Sequence, residues 1–283
     1  MQEMQSRLWP LGMHPGGLGW SLARGPFAST VALWSDEGRL VAWAGIDHPD
    51  ELLAQVEPGE DEAAEAVMAW FLAGSPGAEL RIPLTDSETT LRAAAVRRGF
   101  EDSGKATYGL WMDAVPRPHV AGEYPVRAVQ PEEAARRVEV HRAAWKPSEL
   151  PWSPGHGPVT DPEATSSFDQ AAYAACRRTW LYDADFDLVA VAPDGTFAAS
   201  CLAWFDPSTG VAEIEPLGVH PAHRRRGLAG LLCHEVARRV AERGGSEVFI
   251  NSGPNEGYPA PPGAYAKAGF RIVKRGTVYV RPR

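Results

Sequence analysis

The sequence predicts a mixed α/β fold arranged as two tandem domains of one plan, residues 1–116 and 117–283. Three observations carry that expectation. Along the second half, alternating apolar runs change places with stretches of helical period, as expected for helices packed on a mixed sheet. The segment Val115-Pro116-Arg117-Pro118-His119 breaks every period, because two prolines fix the backbone and remove two donors. The first half then repeats the order of the second in weakened form.

In the second half, Pro131 to Trp145 has helical character, with Glu132 and Glu133 in a first turn where acidic side chains suit the dipole. Lys146 to Pro162 holds five prolines and reads as a long irregular loop; Phe168 to Trp180 is weakly helical. Leu188 to Ala192 and Thr196 to Phe205 are strands joined at Pro193-Asp194-Gly195, a hairpin signal, and Val211 to Val219 is a third strand. A helix runs from about Gly227 to Arg243, where Leu228, Leu232, Val236 and Val240 recur every four residues and Leu231 and Cys233 widen the stripe. Gly244-Gly245 stops it. Glu247 to Ile250 is a short strand, Pro262 to Ala268 a short helix ending at Gly269, and Arg271 to Val280 a last strand.

Charge and composition narrow the function. The net charge of −8 lies entirely in the first half: residues 1–118 hold 17 acidic against 9 basic side chains, and residues 119–283 hold 19 of each. A chain without a broad basic surface is not expected to hold a nucleic-acid backbone. No apolar run approaches the roughly 18 residues of a membrane span, and Met1 to Trp20 lacks a basic segment followed by an apolar one, so no membrane and a cytoplasmic location are expected. Cys176, Cys201 and Cys233 form no C-x-x-C pair and are expected as buried thiols. His234-Glu235-Val236-Ala237-Arg238 starts like a zinc-binding helix but sets arginine where the second ligand must stand, so no metal is expected. Gly16-Gly17-Leu18-Gly19 reads as a flexible turn.

The most informative stretch runs from Leu217 to Gly230. A strand enters a turn with Arg224, Arg225 and Arg226, after which Gly227, Ala229 and Gly230 open an apolar helix. The first N–H groups of a helix have no partner within it and the dipole there is positive, while small residues let an anion reach the backbone. The stretch is an anion cradle.

Its residues resemble the acyl-CoA signature of the Gcn5-related N-acetyltransferase (GNAT) superfamily, [Gln/Arg]-x-x-Gly-x-[Gly/Ala], with Arg224, Gly227 and Ala229 in the three defined places. The resemblance implies acetyl-CoA as co-substrate, with backbone N–H groups from about Arg224 to Gly230, Leu228 included, on its pyrophosphate. Leu217, Gly218 and Val219 would meet the pantetheine arm as an added strand would. Ala264-Tyr265-Ala266-Lys267-Ala268-Gly269-Phe270 is similar to the family's second landmark, which gives Tyr265 the role of protonating the departing thiolate. The family often has an asparagine and a leucine ahead of that tyrosine; here stand Pro259, Pro261, Pro262, Gly263 and Ala264, with Asn251 and Asn255 as the nearest asparagines.

An amine acceptor needs a base, since only about one lysine-like amine in a thousand is neutral at pH ~7.4. Alternation along Val211–Val219 sets Glu213 and Glu215 on the face of Leu217 and Val219. In the family a glutamate of this strand commonly accepts the proton. Glu215, nearer the pantetheine end, is preferred over Glu213, with His141 and Asp206 as substitutes.

The expected first copy runs through Glu51–Val56, Glu62–Leu72, Glu79–Leu84 and Leu91–Phe100. Its loop reads Gly59-Glu60-Asp61-Glu62 in place of the arginines, and Ala95 stands where Tyr265 does. Each acidic side chain would repel a pyrophosphate by about 1 kcal/mol or more at short range. The first domain is therefore expected to be a degenerate GNAT-like domain that shapes or covers the acceptor pocket of the second.

The resemblance puts the acceptor, a small-molecule primary amine, against Ala143 to Phe168 and the strand near Trp204. Trp145, Trp152, Trp180 and Trp204 cluster there, and aromatic walls suit a flat or cationic ligand. The expected reaction is direct attack by the amine in a ternary complex. A non-catalytic acyl-CoA-binding or regulatory module, and a transferase using a longer acyl-CoA, are the alternatives.

Overall fold

The computed structural model describes residues 1–24, 27–47, 50–116, 122–253 and 257–283. Arg117, Pro118 and His119 of the expected linker, and Asn255, lie outside the described residues. The chain divides into two compact units, residues 1–109 with 273–283, and residues 110–272.

The first unit contains α1 (Gln2–Leu8), α2 (Pro15–Ala23), α3 (Phe27–Thr30), β1 (Ala32–Asp36), β2 (Arg39–Asp47), β3 (Glu51–Val56), α4 (Asp61–Gly74), β4 (Glu79–Thr85), α5 (Thr89–Arg97) and most of β5 (Glu101–Asp113). β1, β2 and β3 form an antiparallel meander, and β4 joins β3 in parallel. Val67, Met68 and Phe71 of α4 and Ala94 and Ala95 of α5 bury against Leu52, Leu80 and Ile82 of the sheet. A second cluster gathers Met4, Leu8, Leu18, Phe27 and Trp43.

Gly16 to Gly19 are helical and buried within α2, where a flexible turn was expected. His14 caps that helix, its Nδ1 accepting the Gly16 N–H at 3.1 Å, and Pro15 occupies the first turn. Burial of this segment and its cap override the weak helix propensity of glycine.

The second unit contains β6 (Val126–Ala128), α6 (Ala134–Ala144), α7 (Gln170–Cys176), β7 (Asp187–Val191), β8 (Phe197–Asp206), β9 (Val211–Val219), α8 (Leu228–Glu242), β10 (Glu247–Ser252) and α9 (Ala260–Ala268), followed by β11 (Arg271–Pro282). β6 to β9 are antiparallel neighbours, and β10 joins β9 in parallel across α8. The end of β5 flanks β10, with Trp111 on Phe249 at a ring separation of 4.6 Å. Arg137 of α6 and Asp187 of β7 form a buried ion pair at 2.8 Å, and the Tyr173 hydroxyl of α7 donates to the same carboxylate at 2.6 Å.

β11 departs from the expected division at 116/117. Gly276 to Pro282 pair with Thr85 to Glu79 of β4, so residues 273–283 belong to the first unit. The three cysteines are buried and none is in a disulfide, and burial pushes the Cys233 thiol up to about 12. Among the described residues no helix is long and apolar enough to cross a membrane.

Candidate active site

β9 is regular only at its two ends. Its residues 211–214 pair with Asp206 to Ala203, and its residues 217–219 pair with Cys201 to Ala199, so Glu215 and Pro216 together stand opposite Leu202. This is a bulge, at a proline that has no N–H to give the ladder. The extra residue breaks the alternation. Glu213 pairs with Trp204 and Leu217 with Cys201, three residues apart, so the two lie on opposite faces. The expectation that Glu213 shares a face with Leu217 and Val219 is thereby corrected.

The other edge of β9 is paired only at its start. Among the described residues β10 follows it from Val211 to Glu213, and no strand pairs with the 217–219 backbone on that side. That edge borders a cleft of about 880 Å³, at the upper end of small-molecule and cofactor sites.

α8 starts at the same cleft. Arg225 and Gly227 both adopt positive φ, 62° and 80°, a double turn that leads into the start of the helix, whose first residues line the cleft. The first bond of the helix ladder runs from Leu231 N–H to the Gly227 C=O at 3.0 Å, so the N–H groups of Leu228, Ala229 and Gly230 precede it. Among the described residues no side chain caps them. A Cβ at Gly227 would meet nothing within 4 Å, so the corner has room for an anion against the backbone.

Leu217, Gly218, Val219, Arg224, Arg225, Gly227, Leu228, Ala229, Gly230 and Tyr265 all line this cleft. Arg226 does not: its guanidinium lies over the ring of Tyr124 at 6.0 Å. Arg224 reaches the cleft wall, but its backbone N–H donates to the Pro221 C=O at 3.3 Å and its guanidinium to other carbonyls. The run of available N–H groups is therefore shorter than the expected 224–230.

Tyr265 sits on α9 across the cleft, its ring edge-on to Phe270 at 5.9 Å. Burial raises its hydroxyl far above the usual tyrosine range, and nearby Cys233, Glu215 and Tyr258 add to the rise. Glu215 is half-buried and stands outside the cleft lining; its charge adds to the rise of that hydroxyl, and the Trp204 Nε1–H donates to its backbone C=O at 2.6 Å. Glu213 is 1% exposed and accepts a bond from the Asn251 amide at 2.8 Å. Of the two substitutes, Asp206 accepts from the N–H and hydroxyl of Ser208 at 2.9 and 2.6 Å and holds a turn. His141 is buried against Phe168, with ring centroids 4.2 Å apart. Neither lines the cleft.

The tryptophans divide. Trp145 lines the cleft, Trp152 packs on Tyr258 at 4.8 Å, Trp204 is fully buried, and Trp180 is half-exposed away from the lining. His234 and Tyr258 are lining residues that the sequence reading missed. His234 follows Gly227, Gly230 and Leu231 at helical spacing on one face of α8, a signal that was present; Tyr258 comes from an irregular segment and left none. Among the described residues no group of three metal-ligating side chains converges.

The matching corner of the first unit is closed. The Gly59 N–H donates to the Thr90 hydroxyl at 3.1 Å, and Glu57 accepts from Arg7 and Arg39. Asp61 and Glu62 occupy the first turn of α4, where their charge answers the helix dipole. The space beside Gln55, Pro58 and Thr90 is about 20 Å³.

The model of the acetyltransferase (GNAT) family matches residues 140–270. No curated protein matches the sequence. Among solved structures, a GCN5-related N-acetyltransferase from Sphaerobacter thermophilus is 18% identical with a TM-score of 0.59, over 89% of this chain and 80% of that one. A tandem GNAT protein from the clavulanic acid biosynthesis pathway is 16% identical with a TM-score of 0.57, over 99% and 93%. A GNAT-family acetyltransferase from Colwellia psychrerythraea is 12% identical with a TM-score of 0.61, over 99% and 95%. At these identities the likeness is one of fold, and it spans both halves of the chain.

Proposed function

We propose, from the premise that this chain carries a GNAT-family acetyltransferase domain over residues 140–270, that it moves an acetyl group from acetyl-CoA to the primary amine of a small molecule. One observation carries the reading: among the described residues, the start of α8 that no side chain caps, the 217–219 edge that no strand pairs and Tyr265 all line one cleft.

The N–H groups of Leu228, Ala229 and Gly230 would hold the pyrophosphate, with the Arg225 side chain at the rim, and Leu217 to Val219 would bond the amides of the pantetheine arm. Bound there, the co-substrate supplies an activated acyl thioester. The chain's own work is to orient and to move protons. Glu215, at the bulge that turns the strand, takes the proton of the attacking amine directly or through one water. Tyr265, kept protonated by its surroundings, gives a proton to the departing sulfur.

Calorimetry with acetyl-CoA tests the cradle, and thiol release with a panel of primary amines tests the chemistry. Glu215→Gln is expected to slow release by roughly 10²–10⁴ while binding persists, and Tyr265→Phe to slow it as well. Binding without thiol release for any amine would instead favour a regulatory acyl-CoA module, and tighter binding of longer acyl chains would replace acetyl as the group transferred.

A further inference from the structure

Arg224 stands at the first defined place of the anion-binding pattern, yet its guanidinium turns away from the corner. Nη2 donates to the C=O of Ala144 at 3.2 Å, Nε to that of Val219 at 3.4 Å, and Nη1 to that of Glu149. Ala144 ends α6, and the last carbonyls of a helix lack partners and carry the negative end of its dipole. A planar fork with five donors suits three carbonyls from three segments better than a single ammonium would.

Two of those carbonyls bracket the start of a strap, residues 145–153. At its near end Trp145 lies so close to Gly218 that a Cβ there would stand 3.0 Å from the indole nitrogen. At its far end the Ser153 N–H donates to the Gly257 C=O at 2.7 Å, and Trp152 packs on Tyr258. Between them Trp145, Pro151 and Tyr258 line the cleft. The strap therefore bridges from the end of β9 to the segment that leads into α9 and Tyr265.

We infer that Arg224 is a positioning residue for the acceptor wall: it holds the strap against the end of β9 and so fixes how an amine enters, while the start of α8 serves the co-substrate. The word acceptor rests on the proposed function; the contacts do not.

Hydrogen–deuterium exchange and calorimetry on the full chain test this. In Arg224→Met, exchange over residues 145–153 is expected to rise about tenfold or more while that of α8 stays within about twofold. The Kd for acetyl-CoA is expected to change by less than about threefold. Arg224→Lys, which keeps the charge but gathers its donors on one atom instead of a planar fork, should fall between. Unchanged exchange in the strap overturns the inference, and so does a Kd weakened by about tenfold or more. If Arg224→Met does not fold, Arg224→Lys decides by the same two readings. Should the wild type give no heat with acetyl-CoA, the proposed function falls, and exchange in the strap still decides whether Arg224 holds it.

Discussion

The Trp204 indole donates to the backbone C=O of Glu215 across 2.6 Å, inside the bulge of β9. A fully buried ring thus pins the backbone of the proposed base. Trp204→Phe removes the donor and leaves that carbonyl without this partner. The expected cost is about 1–3 kcal/mol in stability, read by denaturant unfolding. Thiol release should slow by a larger factor than acetyl-CoA affinity weakens.

Ala229 offers a test in which stability and binding move in opposite directions. An aspartate in the first turn of α8 would favour the helix by about 0.3–1 kcal/mol. The same carboxylate would repel each charge of a bound diphosphate by about 1 kcal/mol or more. Ala229→Asp is therefore expected to melt at or above the wild-type temperature while its affinity for acetyl-CoA drops by about tenfold or more. A variant that binds normally would exclude this corner as the anion site.

One acetyl-CoA per chain is expected by titration calorimetry. The corresponding corner of the first unit commits the Gly59 N–H to Thr90 and leaves about 20 Å³ of space. Two equivalents bound would contradict the closed corner.

The alkaline limb of turnover should begin late. Burial first, then the nearby Glu215 carboxylate, raises the Tyr265 hydroxyl. It therefore stays protonated beyond the ordinary tyrosine value of ~10 and remains able to donate there. The pH profile of kcat should hold to at least about pH 10. A Tyr265-dependent fall near pH ~8–9 would show that this hydroxyl is not held protonated.

Acid should destabilise the second unit through Glu235. Burial alone would raise its pKa, but Arg238 and Arg239, each 2.7 Å from the carboxylate, outweigh that and hold it at about 2. The unfolded chain binds the proton first, near the ordinary 4.5, so stability is full above that value and is lost as pH falls toward about 2. Thermal melts between those limits should fall less steeply for Glu235→Gln than for the wild type.

Much of the second unit was legible because its pattern is local. β9 has the expected bounds, and the four-residue recurrence from Leu228 to Val240 gave α8 within a residue at each end. β3, α4, β4 and α5 of the first unit follow the expected repeat as well. What could not be read depends on partners far along the chain. Pro216 inside a strand was the visible warning that alternation would fail, but where the register slips is set by β8. Gly16 to Gly19 became helical because of burial and a histidine cap. The sequence shows that Arg224 is charged; only the fold shows that it faces the end of α6.

β4 is completed by residues 276–282. During synthesis, then, the first unit reaches the tunnel exit early yet must wait for more than 150 further residues before its sheet has every strand. Such long-range closure slows folding and leaves an open edge in the interim. A nascent chain stalled before residue 273 would present that edge to chaperones or to its neighbours, which makes the order of translation part of how this molecule reaches its final form.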